Sequence, residues 1–234
     1  NQGSLKHFMP LMDSIVFWKQ VMQHPDYDDW WKARDARRAA PLIKIPILVV
    51  GGTFDAEDCF GAWNLYKACY QNRSINATHP VHLVMGPWYH GGWSRGTGAY
   101  LGAVRFGAKT SIYYQQHLEK PFFDRYLKTK VITNTEASQT HVFFSGSNCW
   151  RHDAVWPPKA VEWTFFNLQT QNLTPSHFKL TGKRNVYVSD PQSPVPYADG
   201  VHLNRTREYM IDDQRFASRR TDVLSYLSST LNDS

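Results

Sequence analysis

Residues 45–70 read IPILVVGGTFDAEDCFGAWNLYKACY. Ile47 to Val50 is continuously apolar, Pro46 stands near its start, and Gly51-Gly52 closes it. A run apolar at every position suits a strand buried on both faces, as in a parallel sheet. From about Glu57 to Tyr70, apolar or aromatic residues recur at Phe60, Trp63, Leu65, Tyr66 and Ala68, which predicts a helix. Between strand and helix lies an irregular segment ending in Asp55.

The motif then repeats. VHLVM, from Val81 to Met85, predicts a second buried strand closed by Gly86-Pro87, and a helical pattern covers about Thr110 to Leu127. Strand, helix, strand, helix with short turns predicts an α/β doubly wound sheet. Near residue 135 the pattern turns all-β. Short runs follow: HVFFSG from His141, VEWTFFN from Val161, FKLTG from Phe178 and NVYVSD from Asn185, each bounded by Pro, Gly, Asn or Asp. They predict a sandwich or jelly roll. The polar stretch from Thr221 supplies no closing strand, so this β domain reads as incomplete. The first forty residues read as mostly helical, with Phe8 to Met22 amphipathic and HPDYDDWWKARDA after it. Asp26, after Pro25, is the expected N-cap there, and the pair Trp30-Trp31 suits a core.

Of 234 residues, 42% are hydrophobic, enough for one large or two modest domains. Nine Trp, twelve Tyr and thirteen Phe favour packed β structure and deep pockets over a helical bundle. The net charge is +6, but Lys and Arg are scattered. Their densest cluster (Lys32, Arg34, Arg37, Arg38) is interrupted by Asp35 and reads as a solvated helix face, not a nucleic-acid stripe. Three widely spaced cysteines argue against a disulfide framework and offer no CxxC metal pair. Cys59 and Cys69 fall in one predicted helix, roughly 15 Å apart and too far to bridge. No apolar run is long enough for a membrane span, and Asn1 to His7 is not a signal peptide.

In a doubly wound sheet, ligands bind at the carboxyl ends of the strands. One predicted strand runs into Gly-Gly-Thr-Phe54-Asp55, the other into Gly-Pro-Trp88-Tyr89-His90. A carboxylate and an imidazole thus each follow a buried strand, and with one helix between them the strands are candidates for sheet neighbours. An Asp accepting from one imidazole nitrogen orients the ring, and the other nitrogen takes a nucleophile's proton. In α/β-hydrolases the chain order is Ser, then Asp or Glu, then His. Here Asp precedes His, and no GxSxG elbow lies on an earlier strand; Ser145-Gly146-Ser147 lies after His90. Other readings stand beside this one. Asp55 or Asp58 could cap the next helix, and His90 could be structural. Asp55, Asp58, His79, His82 and His90 offer metal ligands, though no HExxH or comparable motif is present.

These segments resemble the X-Pro dipeptidyl-peptidase and cocaine-esterase family of serine hydrolases, and within it the α-amino-acid ester hydrolases and glutaryl-7-aminocephalosporanic acid acylases. The likeness lies in HPDYDDWWKARD from His24, IPILVVGGTFDAEDCFGAWNLYKA from Ile45, VMGPWYHGGW from Val84 and LGAVRFGAKTSIYYQQHLEKPFFDRYLK from Leu101. It continues in SGSNCWRHDAVWPP from Ser145 and YMIDDQRFASRRTDVLSY from Tyr209. The resemblance implies the end of a helical cap over residues 1–40, the later part of an α/β-hydrolase domain over 41–134, and the first part of a jelly roll over 135–234. It assigns the triad acid to Asp55 and the base to His90, with a Ser nucleophile upstream of this chain, so that the chain alone should not turn over an ester. It implies that a carboxylate cluster drawing on Asp28 and Asp29 holds a substrate ammonium. Phe54, Trp88 and Tyr89 would line the acyl pocket.

The reaction so implied is acyl transfer from a small-molecule ester, amide, β-lactam acyl compound or Xaa-Pro peptide to water, without metal or organic cofactor. Relatives are often exported in bacteria, which leans toward the periplasm or the exterior, and assembly into homo-oligomers is compatible with the family. The alternative from another class is a non-catalytic jelly roll binding carbohydrate, with Trp150, Trp156 and Trp163 as stacking platforms.

Overall fold

The computed structural model describes residues 10, 12–72, 79–128, 139–169, 172–176, 185–200, 202 and 207–230. In chain order the helices are α1 (Val16–Gln23), α2 (Asp29–Lys32), α3 (Cys59–Asn72), α4 (Thr110–Tyr114), α5 (Lys120–Leu127) and α6 (Arg215–Ser218). The strands are β1 (Ile47–Gly52), β2 (Val81–Gly86), β3 (Tyr100–Leu101), β4 (Val104–Arg105), β5 (Thr140–Phe144), β6 (Cys149–Asp153), β7 (Phe165–Gln169), β8 (Asn172–Ser176) and β9 (Leu227–Ser228). They divide into two compact units. One is drawn from Asp26–Lys159 and Thr206–Ile211, the other from Asn1–Pro25, Ala160–Arg205 and Asp212–Ser234.

The first unit is built on a four-stranded sheet of order β1-β2-β5-β6. β1, β2 and β5 are parallel, and β6 returns antiparallel to β5. All six residues of β2 are buried, as the unbroken apolar run predicts for a strand covered on both faces. Val81, Leu83 and Met85 face α3, packing with Ala62, Tyr66 and Cys69 of that helix and with Val49 and Val142. Val84 packs on the other face with Trp88 and Tyr114. The expected helix from Thr110 to Leu127 forms, with a π-helical stretch, Gln115–Glu119, between α4 and α5. Pro121 has no N–H to donate to the carbonyl four residues back, so the ladder is free to widen there.

The structure corrects the reading of the second half. HVFFSG was expected to open an all-β domain at residue 135, but β5 pairs with β2 and extends the α/β sheet, so that unit runs on to Lys159. A strand apolar enough to be buried on both faces cannot be assigned to a sheet from its own residues. In the second unit, β7 pairs antiparallel with β8 and β8 parallel with β9. NVYVSD forms no strand, and Val186, Tyr187 and Val188 are exposed. FKLTG lies outside the described residues, as does the start of the amphipathic stretch from Phe8, of which α1 is the described part. No described helix is long and apolar enough to cross a membrane.

Candidate active site

β1 and β2 run in register from Ile47↔Val81 to Gly52↔Gly86, so both chains leave the sheet at the same level. Two backbone bonds keep them together beyond the strands: Thr53 N to Gly86 O at 2.9 Å and Phe54 N to Trp88 O at 3.1 Å. The approach requires glycine. A Cβ on Gly52 would lie 2.1 Å from Trp88 O, and one on Gly86 would lie 2.4 Å from the Trp88 ring. The two segments therefore deliver Asp55 and His90 to one rim.

There, His90 Nδ1 lies 3.0 Å from Asp55 Oδ2. A carboxylate only accepts, so Nδ1–H donates, and Nε2 is left as the basic nitrogen. Among the described residues Nε2 has no hydrogen-bond partner. The Asp55 side chain is 1% exposed and that of His90 48%, which buries the acid and presents the base. Asp55 Oδ1 accepts from Glu57 N at 2.8 Å and Asp58 N at 3.1 Å. The capping and catalytic readings of Asp55 are thus compatible, each using a different oxygen.

The His90 loop is anchored from below. Trp88 is 2% exposed, and its Nε1 donates to Thr110 Oγ1 at 2.9 Å. Its ring sits among Trp93, Tyr114 and Trp150 beneath the loop, and Trp88 also contributes to the wall of a cleft beside Tyr89 and Arg95. Ser111 Oγ donates to Gly92 O at 3.0 Å and Gln115 Nε2 to Trp93 O at 2.8 Å. Gly91 takes a φ of 74°, the left-handed value that turns the chain directly after His90. Phe54 and Tyr89 are half-buried and pack around Leu101, Phe106 and Phe143.

Asp28 and Asp29 have other partners. Asp28 is the N-cap of α2, its Oδ1 accepting from Trp30 N at 3.0 Å and Trp31 N at 3.4 Å. This cap was expected at Asp26, but the first turn begins at Asp29, so the preceding residue must supply it. Asp29 pairs with Lys32 at 3.0 Å. Within the basic cluster, Arg34 donates to Trp30 O at 2.8 Å, and Arg37 pairs with Asp35, whose carboxyl that guanidinium holds well below the usual range.

Of the carboxylates beside His90, Asp58 was expected as a helix cap or a metal donor, and Glu57 was not expected at the site. Asp58 Oδ2 lies 3.4 Å from Nδ1 and Glu57 Oε2 3.9 Å, both side chains well exposed. Their sequence signal was their place two and three residues after Asp55, inside the turn that Asp55 caps. Of the five expected metal donors, Asp55, Asp58 and His90 bring three ligand atoms within 4.8 Å of one another. His82 is buried in β2 against the Phe122 ring. Trp150 and Trp156, named as stacking platforms in the alternative reading, are half-buried among other aromatic rings. Trp150 packs on Phe143 and Tyr113, Trp156 stacks on Trp63 at 5.4 Å, and Trp163 is exposed.

Residues 6–92 match the family described as X-Pro dipeptidyl-peptidase (S15 family). The chain is 28% identical to the cocaine esterase of Rhodococcus sp. (strain MB1 Bresler) over 96% of its length and 39% of that protein. An aminopeptidase from the marine sediment archaeon Thaumarchaeota archaeon superposes with a TM-score of 0.79 at 30% identity, covering 95% of this chain and 37% of that one. An α-amino acid ester hydrolase superposes with a TM-score of 0.83 at 26% identity, covering 99% and 40%. The chain spans about two fifths of the length of each of these relatives. All three are hydrolases by name, and these similarities support the X-Pro dipeptidyl-peptidase and cocaine esterase family for this chain.

Proposed function

We propose that the protein carrying this chain is a serine hydrolase that cleaves esters or amides, with His90 as general base and acid and Asp55 as the group that orients it. The observation that carries this reading is the 3.0 Å contact between His90 Nδ1 and the buried Asp55 Oδ2. Nε2 takes the proton of a Ser hydroxyl, supplied by a segment outside this chain, as that oxygen bonds to the substrate carbonyl. The tetrahedral oxyanion collapses, and the same proton passes from Nε2 to the departing alkoxide or amine. Water then attacks the acyl-serine by the reverse proton traffic, releasing the acid and restoring Ser. No metal or organic cofactor enters these steps.

The acyl group we favour carries an α-ammonium. Glu57 and Asp58 set two exposed carboxylates beside His90, where a cation would find paired negative charge. Two of the relatives, an aminopeptidase and an α-amino acid ester hydrolase, are named for substrates with an amino group. Asp28 and Asp29, expected in that role, fit less well because one caps α2 and the other pairs with Lys32. The α/β-hydrolase domain of this reading would be followed by a jelly roll, to which the β7–β8–β9 sheet would belong.

The test is hydrolysis by the full-length protein of p-nitrophenyl, amino-acyl and Xaa-Pro substrates, wild type against His90→Ala. Loss of all three activities in the variant is expected. Undiminished turnover in His90→Ala rejects the mechanism.

A further inference from the structure

Beyond His90 the same loop walls a cleft of ≈ 230 Å³ that includes Tyr89, Arg95, Thr97 and Tyr100. Part of its surface is bare backbone: Gly96, Gly98 and Gly102 line it, all at positive φ. A Cβ on Gly98 would lie 2.2 Å from Ser111 Oγ, so the loop closes on α4 only with glycine there. The frame is tied down by Thr110 Oγ1 donating to Gly98 O at 2.6 Å and Ser111 N to Thr97 O at 3.1 Å. The cleft and the His90 loop thus share their supports, Thr110 and Ser111, both fully buried.

Its charge is one-sided. None of the described residues lining it is Asp or Glu. Arg95 contributes to the wall, and the Arg105 guanidinium lies 4.7 Å from the centre of the Tyr100 ring. Neither arginine forms an ion pair with any described residue, whereas Arg37, Arg151, Arg215 and Arg220 each pair with an aspartate two positions away. A planar guanidinium with its donors uncommitted suits bidentate capture of a carboxylate.

We infer that this cleft is a carboxylate subsite of the proposed active site, with Arg95 as its cation. The inference rests on the hydrolase reading above and extends it to the leaving group. In a peptide the ammonium belongs to the acyl part and the carboxylate to the departing part. Glu57 and Asp58 lie beside the Nδ1 edge of His90, and the Arg95 cleft follows the loop out of it. The two charges of a dipolar substrate would therefore be read by different segments, on either side of the bond being cut.

The experiment is calorimetric binding to the full-length protein of N-acetylglycine and of its uncharged counterpart, N-acetylglycinamide. It needs no turnover, so its outcome is separable from that of His90→Ala. The acid should bind more tightly than the amide, by roughly tenfold for one charge-assisted pair. Arg95→Gln should abolish that advantage, Arg95→Lys should keep part of it, and Arg38→Gln, outside the cleft, should leave it intact. Raising the salt concentration should narrow the gap in wild type. Equal binding of acid and amide by wild type, or an advantage that survives Arg95→Gln, overturns the inference.

Discussion

Asp55 holds His90 with one carboxylate oxygen and the start of α3 with the other. Oδ2 meets Nδ1 at 3.0 Å, while Oδ1 receives the N–H groups of Glu57 and Asp58. A rigid local turn therefore fixes the residue that fixes the base.

This division of labour separates two substitutions. Asp55→Asn keeps an oxygen for the cap but presents an amide to the imidazole, which favours the wrong tautomer. Turnover of p-nitrophenyl esters by the full-length protein should fall ~10³–10⁴-fold with little change in melting temperature. Asp55→Ala should lose similar activity and about 1 kcal/mol of stability as well, from the missing cap. Equal stability of the two variants in denaturant titrations would remove the capping role.

Glu57→Gln and Asp58→Asn should raise KM for amino-acyl esters and spare substrates whose acyl group is neutral. Both side chains are exposed, so each change is modest, roughly 3–10-fold in KM, and the double variant larger. Steady-state kinetics on a matched pair, an amino-acyl ester and its desamino analogue, decides this; a uniform loss on both points to damage at His90.

Gly52→Ala drives a methyl into the Trp88 carbonyl, whereas Gly61, in α3, has only Asp58 Oδ1 near its Cβ position, at 3.8 Å. The first substitution should cost at least ~2 kcal/mol and take activity with it, because the ends of β1 and β2 must part. Gly61→Ala should instead stabilise by about 0.5–1 kcal/mol through helix propensity. Melting temperatures of the two alanine variants should therefore move in opposite directions.

His82 and His141 supply a pH dependence away from the site. Burial, then the charge of Arg125, lowers His82 to about 4. Burial, then His152 and His82, lowers His141 to about 4. His141 Nδ1 lies 2.6 Å from His152 Nδ1, so one neutral ring donates to the other, and two protonated rings would turn donor against donor. Both folded values lie below the unfolded one, so the unfolded chain binds more protons in between. Stability is then complete above about pH 6.5 and is lost as pH falls toward 4, on the order of 2 kcal/mol or more per histidine. Denaturant midpoints at pH 7, 5.5 and 4 should show this slope, and His82→Leu or His141→Leu should flatten it.

Much of the first unit was legible because its signals are local. The apolar runs in β1 and β2, the glycines that end them, and the helical spacing of α3 and of Thr110 to Leu127 depend on near neighbours in the chain. β5 was misassigned because its partner, β2, lies more than fifty residues away and its own residues suit either sheet. NVYVSD had the composition of a strand but has no pairing partner among the described residues. Composition proposes an extended segment; only a neighbouring backbone makes it a strand.

For the site, the sequence by itself determined which acid and which base follow the buried strands, in what order, and inside which family-like segments. It also determined that no GxSxG stretch precedes Asp55: the one match, Gly92-Trp93-Ser94-Arg95-Gly96, follows His90 and lies in a 3-10 turn, not between a strand and a helix. The tertiary structure decided the rest. It brought Asp55 and His90 within hydrogen-bonding distance, gave Asp55 its second task, and sent Trp88 into the core. It also set Glu57 and Asp58 beside the imidazole while tying Asp28 and Asp29 to α2. The physical reason is range. Strand and helix patterns arise from contacts a few residues apart, whereas the directions of side chains at a sheet rim depend on the register of β1 against β2, set across more than thirty residues of chain.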